Sequence, residues 1–340
     1  MLTHFFNLYY AEAFRLMFTF LTSFAIMLIF GKKFIIAMRS RQNGGQPIRE
    51  EGPQSHLLTK KGTPTMGGIL ILFAIIVSTL LFMNPWNVVV WICLVMLVIF
   101  GITGFIDDYV KVKKRTSNAM TAKMKLVIQF VAALGAVWLI TSLIGDRTRY
   151  AVYFPYIDFL KNAKWLYIPF AVLVITGTSN AVNLTDGLDG LASGLCIVAF
   201  AAFGILCAFS NIPGAQDISI VCVAVSGACL GFLWFNCSPA QIFMGDTGSL
   251  ALGALLGTIA VAIKQEFLLA VIGIIFVVET LSVMIQVFWY KRTKKRIFRM
   301  APIHHHFEQV GLKETTIVTR FWVISIIAAV IGLSALLFVR

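Results

Sequence analysis

Ten long apolar blocks recur along the whole chain, and they constrain its fold more than any other feature. They cover residues 15–37, 67–84, 86–106, 124–144, 165–184, 191–210, 217–236, 247–263, 267–289 and 319–339. Each approaches the ~20 residues that a helix needs to cross a bilayer. In hydrocarbon every backbone N–H and C=O must find an internal partner, and within a single segment only an α-helix supplies one. The expected fold class is therefore all-α, a polytopic integral membrane protein with about ten transmembrane helices. The 340 residues are 59% hydrophobic and only 13% charged, which excludes a soluble globular core. The six Cys fall mostly inside the apolar blocks without a C-x-x-C pair. They read as small hydrophobes, not as disulfides or zinc ligands. No basic region followed by a small-residue cleavage site opens the chain, so the first span is expected to serve as the targeting signal.

Charge then orients the helices. With ten spans, the connections after spans 1, 3, 5, 7 and 9 share one face, and together with the span ends that flank them (31–66, 107–125 and 291–320) they carry 21 of the 28 Lys and Arg. Positive charge favours the cytoplasm. That face is expected to be cytoplasmic, with both termini periplasmic. The net charge of +13 is then mostly a property of one membrane face in contact with anionic lipid. No nucleic-acid-binding module accompanies the basic loops, so nucleic acid is not expected as a partner. Residues 145–164 form the one sizeable connection on the other face, a hairpin or an interfacial piece. Glycines four apart (Gly190/Gly194, Gly227/Gly231, Gly253/Gly257) read as sites of close helix packing.

The acids are sorted too, and the positive-inside rule does not require that. Asp107, Asp108, Asp186, Asp189 and Asp246 all fall on the cytoplasmic face, at or beside span ends. Charged groups at that depth are costly unless paired, hydrated or metal-bound. In "GFIDDYVK", a helix continued from span 3 places Asp107 and Lys111 four apart, in the favourable acid-before-base order. A solvated ion pair at a helix end and a carboxylate pair at the depth of a lipid phosphate both fit. In "SNAVNLTDGLDG", Asn180 and Asn183 share a helix face, and Asp186 and Asp189 follow at a glycine-broken turn. Caps and turn formers explain some of these four. Oxygen donors without sulfur also suit a hard cation such as Mg²⁺. In "FMGDTGSLALG", Asp246 opens span 8 either as a helix-terminal acid or as a metal ligand beside a phosphate-binding N-terminus. Phe243 stands as an interfacial anchor or a surface on which a base stacks. In "APIHHHFE", His304, His305 and His306 are a solvated loop or a set of phosphate- or proton-handling imidazoles. Glu279 is the only acid near the middle of a span, which makes it a functional suspect or the partner of a buried polar contact.

Taken together, the strings "KKGTPTMGG" (60–68), "GFIDDYVK" (104–111), "TAKMK" (121–125), "SNAVNLTDGLDGLA" (179–192), "MGDTGSLALG" (244–253), "ETLSVMIQV" (279–287) and "RIFRMAPIHHHFE" (296–308) carry a resemblance. The chain resembles the phospho-N-acetylmuramoyl-pentapeptide transferase family, within the polyprenyl-phosphate N-acetylhexosamine-1-phosphate transferases. Leu312 departs from the Trp expected there. The resemblance implies one transmembrane transferase domain over 1–340, with cytoplasmic loops 38–66, 107–123, 185–190, 237–246 and 290–318. It implies Mg²⁺-dependent transfer of phospho-N-acetylmuramoyl-pentapeptide from its UDP-linked donor to undecaprenyl phosphate, giving lipid I and UMP. The expected location is the bacterial inner membrane, with the active site on the cytoplasmic face. By carry-over, Asp107, Asp108, Asp246 and His304 are the expected catalytic residues, with Asp246 also the Mg²⁺ ligand. Lys60, Lys111 and Lys123 are the expected phosphate-binding cations. Asn180, Asn183, Asp186, Asp189, Asn236, Phe243, His305 and His306 are expected to bind substrate. Membrane lipids are further partners, and pairing with a second copy of the chain is left open. Rival readings are a sister enzyme using UDP-N-acetylglucosamine, disfavoured by the triple histidine, and a secondary transporter, disfavoured by the lack of repeats and of deep charges other than Glu279.

Overall fold

The computed structural model describes residues 8–42, 60, 62–115, 120–144, 149–154, 159–210, 212 and 214–337. Most of the 38–66 loop therefore lies outside the described residues. The chain is an all-α polytopic membrane protein. Among the described residues, nine helices are long and apolar enough to cross a membrane, and a further apolar helix has 15 residues. In chain order the helices are α1 (Leu8–Gln42), α2 (Gly68–Phe82), α3 (Val88–Lys114), α4 (Ala122–Leu143), α5 (Tyr167–Thr185), α6 (Leu191–Ala208) and α7 (Ala215–Asn236). They are followed by α8 (Gly245–Ala262), α9 (Glu266–Ile272), α10 (Ile274–Thr293), α11 (Ile303–Val310) and α12 (Glu314–Ser334).

Local chemistry sets several of these ends. Asn87 caps α3 by accepting the N–H groups of Val89 and Val90, and Thr121 caps α4 by accepting that of Met124. Apolar content alone places the ninth span at 267–289, but it is two helices, α9 and α10, that meet at Gly273. The interruption falls at glycine, which loses the most backbone freedom in a helix and so favours it least. The connection at 145–164 contains a hairpin, β1 (Ala151–Phe154) antiparallel to β2 (Phe159–Asn162). Parts of the sequence-derived loops are helical, among them residues 38–42, which end α1. Residues 107–114 continue α3, and 303–310 form α11 inside the 290–318 segment.

At the centre stands α8, packed along α3 on one side and α5 on the other. Its residues are nearly all small or aliphatic, and almost every one is buried. Lipid tails are as apolar as leucine side chains, so helix association inside a bilayer rests on close contact between small residues. A Cβ on Gly253 would run into the Thr178 and Ser179 backbone of α5, and one on Gly257 would press on Ile175. Gly227 and Gly231 let α7 meet α1 at Phe20, Ser23 and Met27 in the same way. Gly194 receives the Trp322 indole of α12, whereas Gly190 precedes α6 as its left-handed N-cap. The six Cys are all free, and all but Cys237 are buried.

Candidate active site

Alternation of the helices brings one set of ends together: the C-terminal ends of α3 and α5 with the N-terminal ends of α4, α6, α8 and α12. Asp107 and Asp108 sit inside the last two turns of α3, each 1% exposed. Neighbours on a helix point about 100° apart, and these two carboxylates consequently do different things. Asp107 Oδ2 lies 2.6 Å from Lys111 Nζ and 2.8 Å from Lys125 Nζ, while its Oδ1 accepts the Met120 N–H. Asp108 turns to α8. It accepts the N–H of Asp246 and both the N–H and the hydroxyl of Thr247. An acid thus occupies amides at the N-terminus of α8, the place where the sequence alone also allowed a phosphate.

Asp246 completes the cluster. Its Oδ2 is 3.0 Å from Lys111 Nζ and 2.8 Å from Lys125 Nζ, and its Oδ1 accepts from Asn183 Nδ2 at 2.9 Å. Two carboxylates and two ammonium groups therefore alternate around one small volume, where full pairing lets charge persist out of bulk water. The close fit is built from glycine. A side chain on Gly104 of α3 would collide with the Asp246 backbone, and one on Gly245 would meet the Asp108 carboxylate. Asp186, at the C-terminal end of α5, borders the same volume. Burial pushes its carboxyl up to about 7, with the charges of Asp246 and Asp108 adding to the effect.

Lys125 was not among the expected residues, whereas Lys123 was. The two are about 200° apart on α4. Lys125 lies four residues before buried Gln129 and reaches the acids, while Lys123 is exposed. The helical phase of α4 carried that signal in the sequence.

A second group closes the neighbouring wall. Lys60 Nζ is 3.0 Å from Asp189 Oδ1 and 2.7 Å from Glu314 Oε1. Glu314 also accepts the Asp189 N–H, and Asp189 Oδ2 accepts that of Ala240. Burial works against the Lys60 ammonium, but the two carboxylates outweigh it and raise its pKa above the ordinary lysine value. Glu314 could not be found from sequence, since it lies 254 positions from Lys60.

The remaining expected residues are positioned as follows. Asn180 donates to Gln129 of α4. Asn236 is a buried staple that accepts from Gly190 N–H and Ser193 hydroxyl and donates to Ile242 O. Phe243 is half-buried, and its backbone pairs with Pro64 and Gly67, tying the segment after Lys60 to the approach to α8. His304 is wholly buried against Glu279, His305 faces Glu308, and His306 Nδ1 accepts the Arg299 N–H.

The model of Glycosyl transferase family 4 matches residues 90–264, just over half of the chain. The chain belongs to that family. Within it, the phospho-N-acetylmuramoyl-pentapeptide-transferase signature 1 matches residues 60–72, so this family-4 glycosyl transferase is of that type. The family match takes in Asp107, Asp108, Lys111, Lys125, Asn183, Asp186 and Asp246, and the signature takes in Lys60. In the structure the described part of the signature is the approach to α2 and the first residues of that helix. The N–H groups of Gly67 and Gly68 donate to the carbonyls of Phe243 and Met244.

Proposed function

We propose that this site transfers phospho-N-acetylmuramoyl-pentapeptide from the UDP-linked donor to undecaprenyl phosphate, releasing UMP and lipid I at the cytoplasmic face of the bacterial inner membrane. One observation carries the reading. The paired cluster of Asp107, Asp246, Lys111 and Lys125 lies at the ends of apolar helices, the one depth at which a lipid phosphate and a soluble nucleotide meet.

The donor set suits Mg²⁺. It consists of oxygen donors alone, and Asp186, Asp108 and Asp246 crowd negative charge that a divalent cation relieves. Among the described residues no three acids, His or Cys stand close enough to ligate a metal by themselves. Mg²⁺ normally takes only one or two carboxylates and fills its shell with substrate phosphate and water. Asp246 and Asp186 are the residues that would hold it. When bound, the ion supplies charge neutralisation and orientation to the donor diphosphate.

The lipid phosphate needs little activation, because a phosphate monoester has its second pKa near ~6 and is mostly a dianion at neutral pH. Direct attack on the β-phosphate of the donor follows. Asp107 is the acceptor for any residual proton and keeps Lys111 and Lys125 in place. These two ammonium groups exchange carboxylate contacts for phosphate and stabilise the charge that develops on departing UMP. Asp108 fixes the start of α8 and with it Asp246. The test is donor choice. Purified protein with undecaprenyl phosphate should form a lipid-linked product from UDP-N-acetylmuramoyl-pentapeptide. Product from UDP-N-acetylglucosamine instead would move the chain to a sister activity.

A further inference from the structure

Glu279 and His304 are both 0% exposed, and their facing atoms, Glu279 Oε2 and His304 Nδ1, are 3.0 Å apart. Beyond this one contact neither side chain has a hydrogen-bond partner among the described residues, which leaves Glu279 Oε1 and His304 Nε2 unpaired. A buried polar group left in that state costs about 1–3 kcal/mol, so its retention calls for a reason. The far side of the imidazole supplies one. A Cβ on Gly187 would collide with His304 Nε2, so the ring lies directly against the backbone of the turn between α5 and α6. That turn carries Asp186 on one side of Gly187 and Asp189 on the other. The segment leading into the helix that bears His304 is fastened to α10 independently, since Gln286 accepts the N–H groups of Ile297 and Phe298 and donates to Phe298 O. Glu279 is thus not needed merely to hold the segment in place.

We propose that Glu279 is a positioning residue of the site, acting through His304 to hold the Gly187 turn, and with it Asp186 and Asp189, at the donor-binding wall. The proposal rests on the function given above. It assigns His304 to supporting the turn from behind, without contact to the reacting atoms. Carboxylates commonly hold a histidine ring in one orientation through a single ring nitrogen. Here the second nitrogen faces backbone.

Glu279→Gln, His304→Gln, their double variant and Gly187→Ala would be assayed for UMP release with each substrate varied in turn, and melted in detergent. Glu279→Gln should raise the donor KM about tenfold, the scale of one hydrogen bond to a charged group, with the KM for undecaprenyl phosphate unchanged. The double variant should be no worse than His304→Gln alone, because Glu279 acts through that ring. Gly187→Ala should copy the same KM pattern by pushing the ring from the other side, and it carries the test if Glu279→Gln fails to fold. A lowered melting temperature with donor KM unchanged would overturn the proposal, as would additive effects in the double variant. Absence of two-substrate UMP release by the unmodified protein would instead overturn the functional reading itself.

Discussion

Lys125→Ala is the most discriminating single substitution. Lys125 Nζ lies 2.8 Å from both Asp107 Oδ2 and Asp246 Oδ2. At an effective dielectric of about 20, each such contact is a gross attraction of about 6 kcal/mol, which desolvation of the ammonium group largely offsets. Removing one well-placed group that stabilises charge developing in the transition state costs about 3–4 kcal/mol in catalysis. Lys111 still reaches both acids, and the Lys125 side chain is 20% exposed, so the low end applies. A loss of about 3 kcal/mol is about 10²-fold in kcat/KM. The assay is UMP release in detergent, with Lys123→Ala as the matched control because it removes the same charge from an exposed position on the same helix. Lys123→Ala should keep at least about half of the activity, since surface charges contribute little. If the two variants lose equally, general basicity matters and the paired cluster does not. If Lys125→Ala is near wild type, the geometry described for it is wrong.

Further outcomes follow from the same structure. Thr247→Val should lower the melting temperature and slow turnover together, because it removes the hydroxyl that Asp108 accepts and leaves a buried carboxylate one bond short, a cost of about 1–3 kcal/mol. Asp186 binds its proton more tightly in the folded protein, with a pKa of about 7, than in the unfolded chain. Its stabilising contribution is therefore fully present at low pH and lost as pH rises through about 7. Metal-free protein should melt lower at pH 8 than at pH 6, by a margin that Asp186→Asn abolishes. Direct attack requires that radiolabelled UMP fail to exchange into the sugar nucleotide when lipid phosphate is absent. Exchange at the turnover rate, lost in Asp107→Asn, would make that acid a nucleophile. For topology, single Cys placed at residues 2 and 309 of a Cys-free background should react with an impermeant reagent in sealed cells at residue 2 only.

The bilayer makes this fold legible. Each apolar block becomes a helix because no other element satisfies its backbone in hydrocarbon, and the glycine pairs of α7 and α8 meet the neighbours that close packing requires. The break at Gly273 was hidden in an unbroken apolar run. Of the site, the five aspartates were legible because charge at span ends is unusual. Their division of labour was not, since it depends on helical phase: Asp107 faces the lysines and Asp108 faces α8. Phase likewise separates Lys125 from Lys123. The partnership of Lys60 with Glu314 and that of Glu279 with His304 join distant segments, which no spacing in one chain reveals.

The central claim is that the acid–lysine cluster carries a two-substrate phospho-sugar transfer. UMP release by the purified protein and by Asp246→Asn, with and without each substrate and Mg²⁺, tests it most directly. The account predicts release only when donor, undecaprenyl phosphate and Mg²⁺ are all present, and a loss of at least ~10²-fold in the variant, the scale of removing one well-placed electrostatic group. Release that needs no lipid phosphate, or an Asp246→Asn protein that turns over at the wild-type rate in saturating Mg²⁺, would contradict it.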